Sequence, residues 1–114
     1  MIIYGELQPI IARVCHGWTT FENTDTYEVL LRNEIFPSIK NRNIKGYRKI
    51  SLLKRSLENE VDFITIMIFE NLSAVKEFAG EEYENSVVPQ KAQNVLLRHD
   101  KFSQHYEIVN EYNY

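Results

Sequence analysis

The segment Val61–Phe69 (VDFITIMIF) constrains the fold more than any other part of the sequence. Its residues alternate as in a strand, and both of the resulting faces are largely apolar. A strand with two apolar faces lies inside a sheet that is covered on both sides. The sequence therefore predicts a central strand here, with helices against one face and a different cover against the other.

The residues before this strand predict a strand followed by a helix. The β-branched, roughly alternating segment 10–18 is typical of a strand. Thr19 fits the capping-box spacing with the acidic residue three positions later, so the helix is predicted to begin there, or at Asn23 or Thr24. Pro37 is expected to kink or split this helix near the preceding residue. The apolar face of the helix consists of Tyr27, Leu30, Leu31, Ile35 and Ile39.

The remaining elements follow from the same kinds of pattern. A second strand is predicted over 47–57, joined to the central strand by a polar turn. A short helix is predicted from Ser73 as its N-cap to Gly80 as its C-terminal stop. Pro89 can open another helix, and a last strand is predicted over about 104–109.

The order of elements is thus β-α-β-β-α-β, which predicts an α+β fold of the ferredoxin-like, split β-α-β type. Such a fold has a four-stranded antiparallel sheet with helices on one face. The 114 residues are expected to form a single domain over 1–114, with a folded core of about 10–109. Because the chain has no further helices for the second apolar face, we expect a second copy to cover it in a homodimer.

Charge and composition exclude several classes of partner. The 13 basic and 16 acidic residues give a net charge of −3, whereas binders of nucleic acid or of anionic membranes usually carry a basic excess. No apolar run approaches the roughly 18 residues of a membrane span, and the first residues lack the basic start of a signal peptide. The single cysteine, Cys15, excludes an internal disulfide and predicts a cytoplasmic location.

Three polar residues are the candidates for catalysis, namely His105, His16 and Arg13. The two histidines are on strands that should be neighbours, so they could share a pocket in which a neutral imidazole accepts a phenol proton. The alternative is that both histidines lie at the surface or at a dimer interface. Arg13 could hold an anionic substrate oxygen, although the sequence favours a cross-strand ion pair with Glu107.

Aromatic residues supply candidates for the walls of a ligand pocket. A planar ligand would contact Trp18, Tyr47, Phe78 and Tyr83, although residues of this kind more often pack in a core. Cys15 is not expected to be a nucleophile, because the adjacent His16 would point away from it in a strand. No metal site is predicted, since too few histidines can converge on one ion.

Several segments together resemble the antibiotic biosynthesis monooxygenase family, which belongs to the dimeric α/β-barrel superfamily. They cover about residues 10–109 and read ARVCHGWTTFENTDTYEVLLRNEIFPSI, IKGYRKISLLKR, VDFITIMIFENLSAVKEFAGEEYE, VVPQKA and HYEIV. The resemblance implies a homodimer that packs through the sheet face, with a pocket between sheet and helices in each protomer. It also implies a cofactor-free monooxygenase for a small aromatic or quinol-type substrate, with no cofactor to bind.

The haem-degrading branch of that family has an Asn on its first strand, a Trp on its third and a His on the next helix. This chain differs at each point, with Arg13 and His16 on the first strand and Met67 and Phe69 on the third. The segment 73–89 contains no histidine. No catalytic residue is therefore carried over from the family. The alternative to an oxygenase is a non-catalytic homodimer that binds a small ligand or acts as an interaction protein.

Overall fold

A computed structural model describes residues 8–114 of the chain. The first helix runs through α1, a π-helical segment and α2 without a break. In chain order the elements are β1 (Ile11–Thr19), α1 (Thr24–Leu30), the π-helical segment (Leu31–Ile35), α2 (Phe36–Asn41), β2 (Tyr47–Ser56), β3 (Val61–Phe69), α3 (Leu72–Ala79), α4 (Gln90–Gln93), β4 (Arg98–His99) and β5 (Gln104–Glu107).

The sheet is antiparallel, with β3 and β1 at its centre. β2 pairs with β3, β3 pairs with β1, and the far side of β1 is shared by the short strands β4 and β5. The predicted central strand is therefore confirmed with its bounds, Val61–Phe69. The predicted last strand is present as β5, which ends two residues before the predicted end, and the short strand β4 before it was not predicted. The two are separate because the chain leaves β1 between residues 99 and 104. The architecture is the predicted ferredoxin-like α+β fold.

The strand alternation divides the sheet into two unlike faces. On β1 the odd-numbered residues from Ile11 to Thr19 face the helices, and Arg13, Gly17 and Thr19 among them are buried. The even-numbered residues face the other way and are only partly buried. We call this second side the open face; it carries Ala12, Val14, His16, Trp18, Leu53, Asp62, Ile64, Ile66, Ile68 and Tyr106.

Two predicted helix starts are wrong. Thr19 is the last residue of β1 and does not begin the helix. The helix α1 begins at Thr24, with Asn23 as its N-cap, so the later of the predicted starts is confirmed. Ser73 lies inside α3, because the Asn71 side chain accepts the Ala74 N–H at 2.9 Å and caps the helix two residues earlier. The predicted stop is confirmed: Gly80 has φ of +88°, a conformation that suits glycine.

The helix irregularity predicted at Pro37 takes the form of the π-helical segment. Proline has no N–H and its ring crowds the preceding turn, so a regular α-helix cannot run through it unchanged. Just before it, the Phe36 N–H donates to the Leu31 carbonyl five residues back instead of four. The chain thereby continues as α2, with Pro37 in its first turn.

Candidate functional site

An apolar cavity lies between the helix-facing side of the sheet and the first helix. Its floor is formed by β1, β2 and β3, and Tyr27, Leu31, Ile35 and Phe36 close it from the helix side. The segment after α3 closes the third side with Val87, Val88, Pro89, Ala92 and Leu96. The volume is about 70 Å³. This is about half of the ~150 Å³ cavity that binds benzene in an engineered protein.

The local sequence explains why this space stays open. Gly17 sits on the floor where Leu96 crosses the strand, and a Cβ at this position would lie 3.1 Å from the Leu96 Cδ2 atom. On the helix side, the residues four apart in the π-helical segment, Leu31 and Ile35, both reach the cavity. Segments of π-helix occur frequently at functional sites.

Few polar groups face this cavity. The Cys15 Sγ atom lies 2.9 Å from the Ser103 hydroxyl, and Thr65 lies on the neighbouring strand in register with Cys15. Burial, with a smaller contribution from Cys15, raises the pKa of Tyr27 to about 12. Tyr27 therefore keeps its proton at neutral pH and can act only as a neutral hydrogen-bonding group. The cavity can accept an apolar molecule that carries at most one or two polar atoms.

Arg13 lies on the same face of the sheet as this cavity but does not border it, and its side chain is fully buried. Its Nη1 donates to the Tyr83 carbonyl at 2.5 Å and its Nη2 to the Asn85 carbonyl at 3.0 Å. The Phe78 ring packs 5.5 Å from its guanidinium carbon. No carboxylate lies within ion-pair distance of it in residues 8–114, and its Nε atom has no partner there. Burial lowers the pKa of Arg13, an effect that neighbouring Cys15 opposes.

The predicted ion pair of Arg13 with Glu107 is therefore wrong. In the register of β1 and β5, Arg13 lies opposite His105, while Glu107 lies opposite Ile11 and is exposed. The register of β5 on β1 differs by two residues from the one that would place Glu107 opposite Arg13. A buried cation without an acidic partner is costly, and backbone carbonyls are what solvate this one.

His105 contacts Arg13 directly. The His105 Nε2 lies 2.9 Å from the Arg13 Nη1, and because a guanidinium only donates, Nε2 must be the acceptor and carry no proton. Burial and the charge of Arg13 lower the pKa of His105, while Glu84 opposes them. The imidazole is therefore neutral, and its free electron pair is already engaged. It faces a surface groove beside Tyr83 and does not line the cavity.

His16 is among the residues of β1 that border the cavity, but the strand alternation places its side chain on the open face. His105 borders a different groove, so the expectation that the two histidines share a pocket is wrong. The His16 Nδ1 lies 3.3 Å from the Asp62 carboxylate, and its ring stacks on Trp18 with 5.4 Å between the centroids. The Arg98 guanidinium in turn covers Trp18 at 4.4 Å. Residues 16 and 105 belong to neighbouring strands. Because the register pairs residue 13 with residue 105, the odd-numbered residues of both strands share one face, and residue 16 lies on the other.

Of the four aromatic residues predicted to line a pocket, only Phe78 borders the cavity. Tyr47 packs on Phe69, with 5.5 Å between the ring centroids, and Trp18 belongs to the open face. Tyr83 packs edge-on against His105 at 5.1 Å. Tyr27, Phe36 and Phe63 also border the cavity and were not predicted to do so. The helical spacing of Tyr27, Leu31 and Ile35 was a usable signal, since residues on the face toward the sheet also border the space beneath it.

Two further properties concern residues 8–114 only. Nowhere in that range do three or more His, Cys, Asp or Glu side chains converge as they would around a metal ion. None of its helices is both long enough and apolar enough to span a bilayer. The cytoplasmic location stays a prediction.

Comparison with known proteins gives one kind of match. No family model matches the sequence, and no curated protein matches it. Among solved structures, the chain is similar to a crystal structure from Bacillus cereus that carries the provisional name antibiotic biosynthesis monooxygenase. The TM-score is 0.61 at 11% identity, and the match covers 93% of this chain and 99% of the other. The chain has that fold. At this identity the likeness concerns the fold, and fold alone does not determine activity.

Proposed function

We propose that this chain is a ligand-binding homodimer whose cavity accepts a small, largely apolar or aromatic molecule. The observation that carries the proposal is the space enclosed by Tyr27, Phe36, Phe63 and Phe78 between sheet and helix. Apolar cavities with few polar groups are the usual form of small-molecule sites, at ~300–1,000 Å³. At about 70 Å³ this one fits a fragment of a few heavy atoms, and a larger ring requires side chains at its edge to move.

Methionine provides a direct test of ligand binding. The chain has two methionines, and Met67 borders the cavity while Met1 lies outside the described residues. Protein labelled with ¹³C at the methionine methyl groups would be titrated with phenol and with hydroquinone. We expect a saturable shift of the Met67 signal. No shift of Met67 at millimolar ligand would contradict the proposal.

A pair of variants controls this experiment. Ala92, which is buried and borders the cavity, would be changed to Leu so that the added carbons fill the space. Gln90→Leu adds an apolar side chain at an exposed position of the same helix. Ala92→Leu should abolish the ligand-induced shift of Met67, and Gln90→Leu should preserve it. Equal responses of the two variants would mean that the ligand binds elsewhere.

The homodimer is supported by the open face. Its aliphatic residues Val14, Ile64, Ile66 and Ile68 are only partly buried, and Tyr106 beside them is 59% exposed. Contiguous apolar surface of this kind marks interaction sites. Ile66→Lys should convert a dimer to a folded monomer in light-scattering measurements of solution mass, whereas Asn94→Lys, on an exposed loop, should leave a dimer. A wild-type monomer would contradict this part of the proposal.

The second candidate function is cofactor-free oxidation of the bound molecule, which the name of the structural neighbour favours. In such a reaction a quinol and O₂ give a hydroxyquinone and water, so one oxygen atom enters the product and the substrate supplies the electrons. Neither Arg13 nor His105 borders the cavity, so a substrate bound there meets Cys15, Thr65 and Tyr27 as the polar side chains on the helix-facing side. The roles predicted for Arg13 in holding an ionised oxygen and for His105 and His16 as the base are therefore not part of this scheme.

Oxygen uptake distinguishes the two functions. Wild-type protein with hydroquinone should consume O₂ faster than buffer and produce hydroxyquinone, and Ala92→Leu should lose this activity. Binding at Met67 without enhanced uptake would leave a ligand-binding protein and remove the oxygenase. Uptake that survives Ala92→Leu would not arise in the cavity.

A further inference from the structure

A second depression lies outside the cavity, between α2 and the beginning of β2. Its volume is about 870 Å³, and it is open to solvent. Four basic residues border it, namely Arg32, Lys40, Arg48 and Lys49. We call it the basic groove.

The groove carries positive charge, whereas the chain as a whole is negatively charged. The chain has a net charge of −3, yet no Asp or Glu among residues 8–114 borders the groove. Among the described residues, Arg48 is the one of the four that forms an ion pair, with its Nε 3.6 Å from the Glu70 Oε1. Arg32, Lys40 and Lys49 form no ion pair with any of the residues the structure describes. Three of the four basic residues of the groove are thus without an ion-pair partner among residues 8–114, on a chain whose net charge is negative.

The basic groove and the cavity share a boundary. Phe36 and Ile50 border both of them, one from the helix and one from the sheet. The π-helical segment also faces both, because Leu31 and Ile35 line the cavity while Arg32 lines the groove. A molecule that enters between Phe36 and Ile50 would have one end among apolar side chains and the other among cations.

We propose that the ligand is an amphiphilic anion, with its apolar or aromatic end in the cavity and its anionic group in the basic groove. This inference rests on the function proposed above and adds the chemical class of the ligand. The carboxylate or phosphate remains in the groove because a charge placed in the apolar cavity would lose its hydration without a partner. Arg32 and Lys40 hold it by charge, and both are exposed enough to meet it. Phe36 and Ile50 move apart to admit the ring.

Matched ligands test the charge preference. Protein with ¹³C-methyl methionine would be titrated with 3-phenylpropanoate, with 3-phenylpropan-1-ol and with 2-phenylethyl phosphate. The three probes share a phenyl ring and differ in the group that would reach the groove. We expect both anions to shift Met67 and to bind several-fold more tightly than the alcohol. Raising the salt concentration should weaken the anions and leave the alcohol unchanged. The tighter of the two anions identifies the preferred group.

A double variant and its control test the residues. Arg32→Gln with Lys40→Gln should weaken 3-phenylpropanoate about fivefold, as expected for two exposed charges, and change the alcohol less than about twofold. Arg55→Gln with Lys101→Gln removes the same charge far from the groove and should change neither ligand. An equal loss in both double variants would show a general charge effect and overturn the inference.

The remaining outcomes separate this inference from the proposed function. If Met67 responds to the alcohol and to 3-phenylpropanoate with equal affinity, the cavity binds ligands but the groove does not select anions. If an anion shifts only amide signals around Arg32 and Lys40, the groove binds it without the cavity, and the inference fails. If no probe shifts Met67 and phenol does not either, the proposed function itself fails.

Discussion

The same strands make both faces of the sheet, but the two faces differ in burial and in apolar content. The helix-facing side buries Phe63, Phe69 and a complete arginine, Arg13, at 1% exposure or less. The open face is more uniformly aliphatic at its centre, yet Ile64 and Ile66 remain partly exposed. Apolar content therefore does not by itself determine which side of a sheet is buried. The chain therefore covers one face of its sheet, the closed side, and leaves the other partly exposed.

The largest effect should come from the closed side. Phe69 is completely buried and packs on both Tyr47 and Phe78. Phe69→Ala should lower the free energy of unfolding by about 3–5 kcal/mol, because large-to-small changes in a core lose contacts and leave a cavity. Urea denaturation monitored by circular dichroism measures this change.

The neighbouring residue provides the comparison. Ile68 precedes Phe69 in the same strand, lies on the open face and is only partly buried. Ile68→Ala should cost less, and its cost should grow with protein concentration if a second copy covers this face. The cost of Phe69→Ala should not depend on concentration in that way. Equal, concentration-independent losses would contradict the contrast between the faces.

A smaller effect is expected from the buried charge on the closed side. Arg13→Met keeps a long side chain but leaves the Tyr83 and Asn85 carbonyls without their donor. We expect a loss of about 1–3 kcal/mol in the free energy of unfolding, which is the scale for buried polar groups that lose a partner. The same urea experiment measures it. Amide hydrogen exchange of Ser86 and Ser103, which bond within this region, should accelerate.

Arg13→Lys is the control for charge alone. A lysine keeps the positive charge but cannot direct planar donors at two carbonyls and an imidazole at once. It should therefore be no more stable than Arg13→Met. Full recovery of stability with lysine would mean that charge, and not the directed hydrogen bonds, is what the site needs.

Much of the fold could be predicted because hydrophobic periodicity reports burial directly. β3 alternates apolar residues on two faces, and its bounds were predicted correctly. β4 was missed, since a pair of residues such as Arg98–His99 is too short to show a period. The start of α3 was misplaced because Asn71 and Ser73 are both good N-caps, and only the position where β3 ends selects Asn71.

The site was less predictable, because it depends on strand register. Alternation places Arg13 and Cys15 on one side of β1 and His16 on the other, but it does not say which side meets the helices. The register of β5 then determines that His105, and not Glu107, meets Arg13. No local pattern in a four-residue strand contains this information. The same limit explains why Trp18 was a candidate for the pocket and lies on the open face.

The smallest effect concerns pH and the buried charge on the closed side. Burial and Arg13 lower the pKa of His105 in the folded chain, while in the unfolded chain it should be near its ordinary value of about 6.5. Below that value the unfolded chain binds a proton at His105 more readily than the folded chain does. The contribution of His105 to the free energy of unfolding should therefore be fully present above pH about 6.5 and be lost as the pH falls toward the folded pKa. His105→Gln should remove this contribution.

The measurement is the difference in unfolding free energy between wild type and His105→Gln in urea at several pH values between 8 and 5. His99→Gln is the matched control, because the His99 ring bonds the Asp100 carbonyl and does not contact Arg13. A wild-type curve parallel to that of His105→Gln would mean that the neutral imidazole does not depend on the buried guanidinium. A difference that vanishes in the Arg13→Met background would attribute the effect to their contact on the closed face.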